Sequence, residues 1–187
     1  VFSVMNYVAN DSTLSPRHRA ILILRTAWLT QNANLWATYA NRIAGAGLTD
    51  EEVGRVAEGP SDHWSEFERT LIGLADELFR NSSVTDQTWY ALSDQYDLDN
   101  MMDAVVTVTE TTTQAILFNS LGVQPDQDTT ERLPTNDVAY RVVALDREPP
   151  LTTPRIEPED GDGLRVSRTF RRHRRMAEAR SASPGYV

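Results

Sequence analysis

Helix boundaries are written into this chain more clearly than any other feature. Ser15-Pro16 pairs a capping hydroxyl with a proline at the first helical position, where its missing N–H costs nothing. Thr49-Asp50-Glu51-Glu52 and Ser65-Glu66-Phe67-Glu68 are capping boxes, each with a hydroxyl at the cap and a carboxylate three residues on. Thr85 caps the run "DQTWYALSDQY", and Asp97 or Asp99 opens the longest helix, which Gly122 closes. Between these marks apolar residues return at helical spacing. Ile21, Leu24 and Trp28 lie in a strongly apolar helix that reaches about Thr30. A second covers Ala33 to Ala46, with Gly47 as its left-handed terminator, and a short third ends at Gly59-Pro60. Phe67, Leu71, Leu74, Leu78 and Phe79 mark a fourth. On the longest helix Leu98, Met101, Met102, Val105, Val106, Ile116 and Leu117 form one predicted core stripe. The stretch from Val105 to Thr113 has the composition of a strand, but its i, i+3, i+4 pattern and flanking caps specify helix. The predicted fold class is all-α, with about six helices in the body.

After Gly122 the pattern stops. Pro125, Pro134, Pro149, Pro150, Pro154 and Pro158 fall among many acids with no sustained period, as expected of a linking or surface-hugging segment. The run "GLRVSRTFRRHRRMAEARSA" then resumes as a basic helix from about Leu164 to Arg180. The expected organisation is a helical domain over 1–126, a Pro-rich acidic linker over 127–163 and a basic helix within 164–187. A length of 187 residues allows one domain with such an appendage. The first residue is Val1, which is consistent with a processed or partial product.

Composition removes several kinds of chemistry. The sequence holds no Cys, so disulfides, thiol redox chemistry and Cys-ligated metals are excluded. All 18 basic residues are Arg, and without Lys there is no Schiff-base or lysine-nucleophile route. Residues 1–150 carry 10 Arg against 22 acids, so the body is a poor match for nucleic acid. No apolar run reaches membrane-spanning length and no signal peptide is evident, so the expectation is a cytoplasmic protein with no membrane partner. His18 reads as part of an exposed charged turn and His63 as a loop residue. Neither has metal-ligand spacing, so no metal and no cofactor are expected. "GDG" at 161–163 reads as a turn.

The pieces "TLSPRHRAILILRTAWLT", a Trp-containing helix, "AGLTDEEV", "WSEFERTLIGLADEL", "VTDQTWYALSDQYD" and "LDNMMDAVVTVTETTTQAILFNSLGVQPD" occur here in order. Over about residues 12–126 the chain resembles the carboxymuconolactone decarboxylase family, which includes the alkylhydroperoxidase D-type proteins. The resemblance implies an all-helical bundle that assembles as trimers or hexamers. It also implies a site. Peroxidase members carry a Glu in the first helix, two thiols three apart, and a His four further on. Those positions fall here on Ala20, on Asn32 and Leu35, and on Tyr39. Decarboxylase-type members use a Glu and a His on the second helix, and that Glu also falls on Leu35. Every proton-relaying or nucleophilic position is replaced, so peroxidase chemistry of the family's type is impossible here. The tail "PRIEPEDGDGLRVSRTFRRHRRMAEA" resembles the segment that precedes this family's core, although here it follows it. A tandem-repeat protein or a circular permutation would produce that order, and an Arg-rich solvated arm is the plainer alternative.

The residues left to carry chemistry are few. A phenol at Tyr39 can donate a proton or hydrogen bond, or can simply pack where a His stands in the family. Arg25 can grip a carboxylate through two N–H groups or sit in a salt bridge. Asn32 and Asn34 can orient a carbonyl or cap a helix. Trp28 and Trp36 can wall a pocket or fill the core. Thr109 and Thr113, with Thr112 and Glu110, can line a wet cavity or face solvent. The expected catalytic pair is Tyr39 and Arg25, with Asn32, Asn34, Trp36, Trp28, Thr109 and Thr113 as substrate contacts. The expected reaction is non-redox, of isomerase, lyase or cyclase type, on a cyclic or carbonyl-bearing molecule. The alternative is a catalytically silent repeat that supplies oligomer contacts. Its partners would be further copies of the chain or a second repeat.

Overall fold

The computed structural model describes residues 6–8, 10–41 and 45–126, together with the isolated positions 133, 134, 153, 158 and 161. Among them lie six complete helices and no strand: α1 (Pro16–Leu29), α2 (Ala33–Ala40), α3 (Asp50–Glu58), α4 (Glu66–Asn81), α5 (Asp86–Ser93) and α6 (Leu98–Leu121); residues 6–8 and 10 are also helical. The expected basic helix and nearly all of the expected linker fall outside the described residues.

The cap signals set the boundaries. The Ser15 hydroxyl accepts from the His18 N–H at 3.2 Å, and both capping boxes close reciprocally. Thr85 caps α5, Asp97 rather than Asp99 caps α6, and Gly122 ends α6 at φ +68°. One boundary differs: α2 stops at Ala40 instead of Ala46, with Asn41 as its cap. Asn competes with the helix for backbone hydrogen bonds, which suits it to a terminus.

The centre of the fold is α1, which packs on α2, α3, α4 and α6. Every residue from Ala20 to Leu29 is buried, so this helix has no solvent face over that stretch. Thr26 tolerates burial by returning its hydroxyl to the Leu22 carbonyl at 2.8 Å. Arg17 ties three helices together at the edge of the core. Its guanidinium meets Glu52 of α3 at 2.5 Å and Glu68 of α4 at 2.7 Å, and donates to the Gly47 carbonyl at 2.6 Å.

On α6 the predicted stripe is split: Val105 and Leu117 pack against the core, while three of its seven residues face outward. Met101 is buried, but Leu98, Met102 and Ile116 are 65%, 51% and 60% exposed. The buried face instead runs through Ala104, Thr107, Val108, Thr111, Ala115 and Phe118. Polarity is masked on that face. The Thr111 hydroxyl bonds the Thr107 carbonyl at 2.6 Å, and the Asp103 carboxylate accepts from Tyr7, Ser12 and Thr13. The outward face of α6 includes Leu98, Met102, Thr109, Thr113, Ile116 and Ser120, all exposed.

Candidate functional site

The tight turn between α1 and α2 sets the geometry of the site. Gln31 takes a left-handed φ of +52°, and the Asn32 N–H returns to the Ala27 carbonyl at 2.9 Å, so the chain reverses within a few residues. The Asn32 side chain then caps α2 by accepting from the Leu35 N–H at 2.8 Å. Its amide donates to Asn119 Oδ1 at 2.7 Å, while the Asn119 amide donates to the Thr30 carbonyl at 2.8 Å. This pair clamps the turn to the end of α6. Asn34 likewise donates to the Gln124 carbonyl at 3.1 Å and secures the segment after α6. Both asparagines are structural caps and clamps, and neither lines the cavity described next.

With α2 folded back along α1, a cavity of about 150 Å³ opens beside the first turns of α1. Its walls are Pro16, Arg19, Ala20, Ile23, Tyr39, Gly45 and Ala46. Five of these are apolar or small. The two lining residues with polar side chains are Tyr39 and Arg19. Gly45 and Ala46 sit just before Gly47, whose carbonyl Arg17 holds, so the network at the core edge also steadies this rim.

Tyr39 lines this cavity, and so does Ala20, at the position the resemblance assigns to the first-helix Glu. The remaining candidates do not join them. Arg25 is buried and its fork is spent: Nε and Nη2 donate to Asp76 at 2.7 and 3.1 Å, and Nη1 donates to the Val56 and Ala57 carbonyls at 3.0 and 2.9 Å. It serves as the C-terminal cap of α3, where a cation also meets the negative end of the helix dipole. Gly59, at φ +96°, lets the backbone turn over this guanidinium, since a Cβ there would come within 3.2 Å of Nη2. Trp28 and Trp36 are core residues with essentially no exposure. The Trp28 ring lies under Arg25, 4.7 Å from its centroid to the guanidinium carbon. Thr109 and Thr113 are on the outer face of α6, with hydroxyls returned to their own helix. Arg19 was missed. The signal was available in the spacing of Pro16, Arg19, Ala20 and Ile23, three or four residues apart on one helical face.

His18 is also not the exposed residue the charged turn implied. It is half-buried, with rings of Phe67 and Tyr96 at 5.4 and 5.8 Å, and its Nδ1 lies 2.7 Å from the Tyr96 hydroxyl. Burial lowers the His18 pKa from its usual 6.5 and raises that of Tyr96, so burial favours the neutral form of both members of this hydrogen-bonded pair. The folded state therefore binds the His18 proton less readily than the unfolded chain. Stability from this site is present above about pH 6.5 and is lost as pH falls below it. The carboxylates act lower. Glu52, held down to about 2 by Arg17, and Glu68, also lowered, contribute stability above about pH 4.5, and Asp103, lowered too, contributes above about pH 3.8; all of it is lost on further acidification. Melting temperature should thus fall in two separate steps, and His18→Asn should flatten the upper one. A wild-type profile that is flat between pH 7 and 5 would remove His18 from the account.

Among the described residues no group of three His, Asp or Glu is placed to hold a metal, and no helix is long and apolar enough to cross a membrane. No protein-family model and no curated protein matches the chain. Among solved structures it is similar to a protein of unknown function from Agrobacterium tumefaciens, described as a candidate antioxidant defence protein, AhpD. The two share 17% identity over 67% of this chain and 87% of the other, with a TM-score of 0.61. The likeness is one of fold: the chain is an all-α bundle of the alkylhydroperoxidase D-like kind.

Proposed function

We propose that the cavity between α1 and α2 binds a small cyclic or carbonyl-bearing organic molecule and transforms it by non-redox chemistry of isomerase, lyase or cyclase type. The observation that carries this reading is that Ala20 and Tyr39, at the positions of the family's Glu and His, line one cavity. A phenol beside apolar walls can donate a hydrogen bond or a proton to a carbonyl oxygen. A cavity of about 150 Å³ is the size that holds a benzene-sized molecule, so the substrate is compact and held in few orientations. The neighbour's antioxidant description does not carry over, because a thiol peroxidase needs cysteine and this sequence has none.

The test is turnover of a panel of small cyclic ketones, lactones and unsaturated acids followed by proton NMR. For any compound converted, Tyr39→Phe should lower kcat by about a hundredfold or more, the scale of a lost general acid. An unchanged kcat would take Tyr39 out of the reaction. A second reading, a non-catalytic repeat that contributes to an assembly, is favoured by two observations. The cavity is smaller than the ~300–1,000 Å³ of ordinary ligand sites, and α6 leaves Leu98, Met102 and Ile116 exposed. Under that reading no compound is converted and none shifts the resonances of Ala20, Ile23 or Tyr39.

A further inference from the structure

Six arginines belong to the fully described part of the chain, and five of them meet a carboxylate: Arg17 with Glu52 and Glu68, Arg25 with Asp76, Arg55 with Glu51, Arg69 with Asp62, and Arg80 with Asp76. The sixth is Arg19. It is half-buried, lines the cavity, and among the described residues makes one hydrogen bond, from Nη1 to the Val8 carbonyl at 3.3 Å. A guanidinium presents five donors, so most of this fork has no acceptor among the described residues. Carboxylates are not scarce, with 27 acids to 18 arginines in the sequence. Withdrawing a cation from water without a counter-charge costs free energy, and among the described residues no acid stands in the cavity wall to offset it.

From this we infer that the cavity takes a small organic monoanion, an apolar body of about benzene size bearing one carboxylate, and that Arg19 is the residue that reads the charge. The inference rests on the small-molecule reading of this cavity and adds the class of ligand to it. The shape of the site fits two tasks. Pro16, Ala20, Ile23, Gly45 and Ala46 accept the apolar body, and the guanidinium receives the carboxylate through two parallel N–H bonds. Tyr39 then faces the body of the ligand with its one hydroxyl. The long-range field helps little, because the body of the protein is acidic, so discrimination has to come from direct contact.

The experiment uses benzoate and its neutral counterpart benzyl alcohol as probes, titrated into the full chain and followed by amide and methyl NMR. Benzoate should shift Ala20, Ile23 and Tyr39 and bind about tenfold more tightly than benzyl alcohol, as expected for a charge-assisted bond. Arg19→Gln should bring benzoate down to the level of benzyl alcohol, and Arg19→Lys should restore part of the difference. Arg55→Gln, which removes an equal charge from the surface, should leave benzoate binding unchanged. Gly45→Leu should weaken both probes, since a Cβ there meets open space and the larger side chain narrows the rim. If both probes bind in the cavity equally, the charge-reading role of Arg19 is wrong and the small-molecule site stands. If neither probe shifts the cavity resonances, both the inference and the site beneath it fall.

Discussion

Arg25→Ala should destabilise the fold by about 3–5 kcal/mol, because it strands the Asp76 carboxylate in the core. Asp76 is only 9% exposed at its side chain, and its remaining cation, Arg80, is 3.5 Å away and half exposed. The same substitution removes the donors that cap α3 at the Val56 and Ala57 carbonyls. In a chain of this length the loss corresponds to a drop in melting temperature on the order of 10 °C, measured by calorimetry at pH 7. Below its melting point the variant should still bind benzoate, since Arg25 does not line the cavity. A loss under about 1 kcal/mol would mean that water reaches Asp76 and that the pair is not the strut described here.

Trp28→Ala should have an effect of similar size, about 3–5 kcal/mol from lost burial and the void left behind. The ring has no exposure, lies in the middle of the central helix, and supports the Arg25 guanidinium from below. Trp28→Phe keeps an aromatic face under the cation and should cost markedly less. Because Trp28 and Arg25 touch, the two alanine variants should not add, and a double-mutant cycle should show a coupling of about 0.5 kcal/mol or more. Additive losses would show that the stacking contributes nothing beyond packing. Urea denaturation gives all the quantities needed, and an unchanged m-value would confirm that the native state is the species affected.

These two residues show why a site is harder to read than a fold. Arg25 and Trp28 are chemically suited to grip an acid and wall a pocket, and the all-apolar surroundings of α1 made them look like site residues. Burial on every side of α1 meant that any polar group on it would be enclosed. Whether such a group meets a ligand or another side chain depends on which helix packs over it. Asp76 is 51 residues away on α4, and no local pattern announces that it faces Arg25. Arg19, six residues earlier on the same helix, looks less special in sequence, yet it is the one on the cavity.

The α6 face has the same origin. Apolar residues on both sides of that helix offer two possible core stripes, and composition favours the one with Leu98, Met102 and Ile116. The fold buries the other, because Thr hydroxyls satisfy themselves within the helix and Asp103 is met by residues some 90 positions earlier. Hydrophobic periodicity ranks faces by residue type alone, and here hydrogen bonds from distant parts of the chain reversed the ranking.

What the sequence determined by itself is therefore local: the all-α class, the caps at Ser15, Thr49, Ser65, Thr85 and Asp97, the left-handed stop at Gly122, and the exclusion of thiol and lysine chemistry. Capping and helical periodicity act over a few residues, so they can be read without knowing where the chain goes next. The tertiary structure decided which arginine is a strut and which lines a cavity, that Asn32 and Asn34 clamp segments instead of orienting a ligand, and that His18 is enclosed by Phe67 and Tyr96. Most of those outcomes depend on partners 30 to 100 residues away, brought close only when the helices choose their neighbours around α1.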